Sequence, residues 1–108
     1  MDIQNILRLP LQLINEVPLN GQVEDIYIGD LLSVVMASGK EGMLWLTVQK
    51  HLNVIAIAQL HDFAGIVFVQ DSYPDEDTIQ KATELQIPLF LSHKDAFGTA
   101  KDLIGLGF

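Results

Sequence analysis

The groups with which this sequence could do chemistry are three histidines, many carboxylates and a scatter of Ser, Thr, Asn and Gln. His51 and His93 stand in the polar strings Gln49-Lys50-His51-Leu52-Asn53 and Ser92-His93-Lys94-Asp95, whereas His61-Asp62 stands apart. No familiar catalytic pattern organises them. Neither Gly-x-Ser-x-Gly nor His-Glu-x-x-His occurs, so a nucleophile elbow and a helix-borne zinc pair are both missing. Gly39-Lys40 superficially suggests a phosphate loop. Val34 stands where that loop needs its first glycine, however, and Glu41 where it needs a Mg²⁺-binding hydroxyl. There is also no Gly-x-Gly-x-x-Gly for a dinucleotide. Asp71, Asp75, Glu76 and Asp77 lack the glycine and distal Glu of an EF-hand and read as the solvated start of a helix. His51, His93 and Asp30 could be imagined around a metal ion, but their spacing is not that of a metal motif. The expectation is therefore no metal, no cofactor and no catalysis.

Whether these groups meet depends on the elements that carry them. Leu44-Trp45-Leu46-Thr47-Val48, Ile66-Val67-Phe68-Val69 and Ile87-Pro88-Leu89-Phe90-Leu91 are apolar on successive residues, as in parallel strands covered on both faces. Seventeen residues separate each from the next, enough for a helical crossover. Ile26-Tyr27-Ile28 fits a further strand, and Leu11-Gln12-Leu13-Ile14 a short one. Between them, Pro74 to Leu85 reads as a helix with an acidic first turn and an apolar stripe of Ile79, Ala82 and Leu85. Asn53 is positioned to cap a helix through Leu60. Periodicity alone could equally make its apolar run Val54 to Ala58 a strand, but its two alanines and its place between two strands favour a buried helix. Asp95 is positioned to cap a helix through Leu103, and Asp2 one from Ile3 to Leu9. Asp30 or Ser33 could cap a short helix through Val34-Val35-Met36, and Ser72 is an adequate cap as well. Ser38 to Gly42 reads as a helix stop and turn. The fold class implied is α/β, a Rossmann-like layered sandwich around a mostly parallel sheet, with residues 1–108 as one unit.

Ligands of open α/β sheets sit beyond the carboxyl ends of the strands. Projection onto that edge gathers Gly29 to Ser33, Gln49 to Asn53, Gln70-Asp71-Ser72 and Ser92 to Asp95, with Asp30, Ser33, Gln49, His51, Asn53, Ser92 and His93 as candidate ligand-binding residues, and leaves His61 at the opposite edge.

Composition narrows the partners. Six Lys and Arg against 14 Asp and Glu, for a net charge of −8 in 108 residues, argue against a nucleic-acid or anionic-membrane surface. With no cysteine, disulfide scaffolds, thiolate metal sites and thiol nucleophiles are excluded. No apolar run approaches a membrane span, and Met1-Asp2 opens no basic signal region, so a soluble cytoplasmic domain is expected. A 49% hydrophobic content and the apolar run Val54 to Ala58 suggest more apolar surface than one small core covers, and hence a homodimer.

Asp30-Leu31-Leu32-Ser33, Gly42, and Trp45-Leu46-Thr47-Val48-Gln49-Lys50-His51-Leu52-Asn53 with Ala56 and Ala58 resemble the stand-alone DRTGG-domain proteins. Pro74-Asp75-Glu76, Thr78-Ile79, Ala82, Ile87-Pro88 and Phe97 continue the likeness, which runs from about Ile28 to the end of the chain. The resemblance implies a fold like the N-terminal domain of HPr kinase, without the kinase's phosphate loop. It implies a regulatory role without established catalytic residues, and an association with iron-only hydrogenases or other redox complexes. Of the namesake residues Asp30 is present. Leu31 stands in place of the Arg, and Val69-Gln70-Asp71 in place of Thr-Gly-Gly. Two functions are thereby expected. One is a non-catalytic regulatory module binding a small polar ligand at the strand ends. The other is a homodimeric accessory protein docking on a redox or metabolic enzyme.

Overall fold

The apolar runs become strands because each is covered on both faces. In the computed structural model, which describes residues 1–108, every residue of β3 (Met43–Thr47), β4 (Gly65–Phe68) and β5 (Leu89–Leu91) is buried. With β2 (Asp25–Ile28) they form a parallel array in which Tyr27 lies beside Trp45, Trp45 beside Ile66, and Ile66 beside Leu89. The two-residue β1 (Gln12–Leu13) pairs antiparallel with β5, giving the order β1-β5-β4-β3-β2. The expected mostly parallel α/β sandwich is the fold found.

Because β2 to β5 lie side by side in chain order, their connections can share one face. The helices α1 (Leu32–Ser38), α2 (Asn53–His61) and α3 (Glu76–Glu84) do so. They bury Val35, Val54, Ile55, Ala58 and Ala82 against Trp45, Ile66, Phe68 and Leu89. The other face carries Leu44, Leu46, Val67, Val69 and Phe90. It is covered by Ile3 and Ile6 of a 3₁₀ helix (Ile3–Arg8) and by Leu103 of α4 (Ala96–Ile104). No helix is long and apolar enough to cross a membrane.

Two of the expected caps form. Asp95 accepts from the Gly98 N–H at 2.7 Å and Asp2 from that of Gln4 at 3.0 Å. Others do not, for a common reason. Leu52 and Leu31 occupy the cap positions of α2 and α1, and tight turns already satisfy the first amides. Ile55 N–H donates to the Leu52 carbonyl at 3.0 Å, and Val34 N–H to that of Leu31 at 3.0 Å. Asn53 and Ser33 are therefore not caps, and Asp30 is left for other work. Ser72 donates instead to the Val48 carbonyl at 2.6 Å. The turn into β3 relies on Gly42, whose φ is +80° and where a Cβ would lie 2.6 Å from the Glu24 side chain.

One structural residue has no periodic signature. Asn15 is buried beyond the end of β1. Its amide donates to the Ile87 carbonyl at 3.0 Å and its oxygen accepts from Leu89 N–H at 2.9 Å. The side chain thus continues, by other means, the pairing that the short strand abandons.

Candidate functional site

At the carboxyl ends of the strands the chain ties its loops together with side chains. Asp30, just past β2, accepts through Oδ1 from the Thr47 hydroxyl at 2.8 Å and from Val48 N–H at 2.9 Å. Gln49 Nε2 donates to the Asp30 carbonyl at 2.8 Å, and Trp45 Nε1 to the Gly29 carbonyl at 2.8 Å. This knot joins the exits of β2 and β3. From there Lys50 presents its carbonyl to the Thr78 hydroxyl at 3.0 Å and to Asp75 N–H at 3.1 Å. His51 Nδ1 pairs with Asp75 Oδ2 at 2.6 Å, so the same loop is fastened to the start of α3.

The exits of β4 and β5 are joined by main chain. Gln70 N–H donates to the Lys94 carbonyl at 2.8 Å and Asp71 N–H to that of Ser92 at 3.1 Å. Both residues have φ of 57°, in the left-handed region. Two successive non-glycine residues there carry a conformational cost, of a kind that clusters at functional sites. His93 pairs with Asp71 across the same junction. Ser92 lies beneath, buried, with its hydroxyl against that of Thr99 at 2.7 Å.

The expected binding set thus divides. Asp30 and Gln49 belong to one knot, while His51 and His93 belong to separate His–Asp pairs with different carboxylates. Ser92 is a core residue, and Ser33 and Asn53 stand exposed on the first turns of α1 and α2. No three His, Asp or Glu side chains are grouped around a common point where a metal could sit. The two histidines are well exposed, at 65% and 72%. Such pairs contribute only about 0–1 kcal/mol, so they orient the loops more than they hold the fold. His61 lies at the other edge as expected, bonded to the Met36 carbonyl at 2.6 Å and stacked on Phe63.

The neighbours β4 and β5 send their helices to opposite faces, α3 to one and α4 to the other. A crevice is the geometric result, and this is where ligands of open sheets bind. It encloses about 230 Å³ between the strand ends and the start of α4. Leu46, Val48 and Val69 are among its walls, together with Ile28 and Phe97, and Asp30, Gln70 and Asp95 are its polar groups. Asp30 and Asp95 each commit Oδ1 to the protein's own N–H or O–H donors. No Lys, Arg or His lines the space.

No family model matches the chain, and no curated protein matches it.

A larger hollow, about 600 Å³, opens at the opposite edge, between the segment Pro18 to Glu24 and the turns before β3, β4 and β5. None of the residues expected to bind lines it. The smaller crevice is the better candidate, because it coincides with both the divergence of α3 and α4 and the left-handed pair. Sequence reading gathers Gln70 and Asp95 at this edge without counting them among the binding candidates, and it does not place Phe97 there. No local pattern marks a glutamine that adopts positive φ, and Phe97 reads as an ordinary helix residue.

Proposed function

We propose that this protein is a non-catalytic regulatory module that takes a small polar molecule in the crevice between the ends of β2 to β4 and the start of α4. The observation that carries the reading is the crevice itself, placed where the connections of β4 and β5 part to opposite faces. Its chemistry indicates the kind of ligand. Two carboxylates line the space and no cation does, which disfavours a phosphate. Asp95 already occupies the N-terminus of α4 that would otherwise attract an anion. A compact molecule with N–H donors and a short apolar body fits both the carboxylates and the aliphatic walls. The reading includes the resemblance to stand-alone DRTGG-domain proteins. Gln70 and Asp71, which stand in place of that family's Gly-Gly, both adopt the backbone that glycine favours.

A thermal-shift screen of amines, amino acids and nucleosides, with nucleotides as the contrasting set, tests this. A ligand at one hundred times its Kd stabilises by about 2.7 kcal/mol, well within detection. The expected result is a shift with a donor-bearing compound that disappears in Ile28→Trp, where the indole fills the mouth. No shift from any class, or a shift that Ile28→Trp leaves intact, overturns the assignment.

A further inference from the structure

The helices α1 and α2 contain no Asp, Glu, Lys or Arg, although 19% of the chain's residues are charged and its net charge is −8. Their neighbour α3, by contrast, carries Glu76, Asp77, Lys81 and Glu84. The missing charge does not reflect burial. On α2 the buried residues are Val54, Ile55, Ile57 and Ala58. The outward face is the stripe Leu52, Ala56 and Leu60, one turn apart at each step, with Leu52 43% and Leu60 67% exposed. Beside it α1 exposes Met36 and Ala37.

We propose that this face is the contact between two copies of the chain, related by a twofold axis that passes near Ala56. Two observations select a second copy as the occupant. The first is the stripe, large-small-large at intervals of four, which is complementary to itself. With α2 crossing α2, the small Ala56 lets the axes approach, and Leu52 of each copy packs beside Leu60 of the other. That reciprocity is what an isologous interface requires. The second is charge. Two chains that each carry −8 repel over most of their surface, and a contact made by α1 and α2, on the side of α2 away from the acidic α3, opposes no carboxylates. Leu31, Met36, Leu52 and Leu60 are each at least 43% exposed, and an exposed apolar patch with a polar rim, here Ser33, Asn53 and Gln59, is the mark of an interaction site. Ser33 and Asn53, which sequence reasoning groups with a ligand, thereby acquire a different role. The proposal is independent of the crevice, which faces the other side of the sheet.

Sedimentation and cysteine scanning of the full chain test it. The wild type is expected at twice the 12.0 kDa chain mass in the micromolar range, and Leu60→Glu at the chain mass with an unchanged circular dichroism spectrum. Because the chain has no cysteine, Ala56→Cys should form a covalent dimer on mild oxidation, the two Cα atoms lying within disulfide reach across the axis. Phe97→Cys, exposed and apolar on α4, should not. A wild type that sediments at 12.0 kDa throughout, a dimer that survives Leu60→Glu, or linkage through Phe97→Cys in preference to Ala56→Cys overturns the proposal.

Discussion

His51 and Asn15 illustrate how little residue type says about energetic weight. The imidazole looks functional, yet it is exposed and bonded to one carboxylate. The asparagine looks ordinary, yet it is buried and bridges two main-chain groups of the β5 segment. His51→Ala should change stability by no more than about 0.5 kcal/mol, as should Asn53→Ala now that no cap bond is at stake. Asn15→Ala orphans a buried carbonyl and a buried N–H and should cost on the order of 1–3 kcal/mol. Urea denaturation of the three variants checks the order, and a larger loss at His51 than at Asn15 contradicts it. The left-handed pair offers a test of sign. At Gln70 a β-branched side chain is disfavoured and glycine is not. Gln70→Gly should therefore exceed Gln70→Val in stability by about 1–2 kcal/mol, the reverse of the usual ranking for glycine. If the valine variant is the more stable, the backbone at Gln70 is not left-handed in solution.

At the scale of elements, helix starts separate into those held by a side chain and those held by a preceding turn. Asp95 holds α4 by its carboxylate, so Asp95→Ala should cost about 1 kcal/mol. It should also loosen the wall of the crevice that Ala96 and Phe97 provide. The start of α2 has no such residue, because Leu52 is already helical with φ −55° and ψ −31°. Hydrogen exchange measured on Asp95→Ala should show faster exchange confined to the first turn of α4, with α2 unaffected. Faster exchange throughout the sheet means that the cap holds more than its own helix. The apolar run Val54 to Ala58 shows a related distinction. It suggests surplus apolar surface in the sequence, but in the fold all of it except Ala56 is core. The large apolar side chains that α2 leaves exposed are instead Leu52 and Leu60, which flank the run.

For the molecule as a whole, a dimer makes stability depend on concentration, since association stabilises the folded state by mass action. The wild-type Tm should rise as protein concentration increases, and that of Leu60→Glu should stay constant. A constant Tm in both contradicts the interface. The layered fold was legible in the sequence because its cause is local. Runs such as Leu44 to Val48 and Ile66 to Val69 are apolar without alternation, as in strands covered on both faces. It is the two alanines of the equally apolar Val54 to Ala58, with its place between two strands, that mark that run as a helix. Pro74 and the acids after it mark a helix start for equally local reasons. The carboxyl-edge location of Asp30, Gln49, His51 and His93 followed from the same strand order. What the sequence by itself determined, then, was the set of elements and the edge of the sheet on which the polar residues fall. Only the tertiary structure decided how those residues are shared out, because hydrogen-bond partners come from segments far apart in the chain. Asp30 goes to Thr47, His51 to Asp75, and His93 to Asp71. It also decided which face of α2 is left to solvent, since that depends on where the sheet and α3 lie. Burial and partnership are properties of distant segments brought together, and no local pattern encodes them.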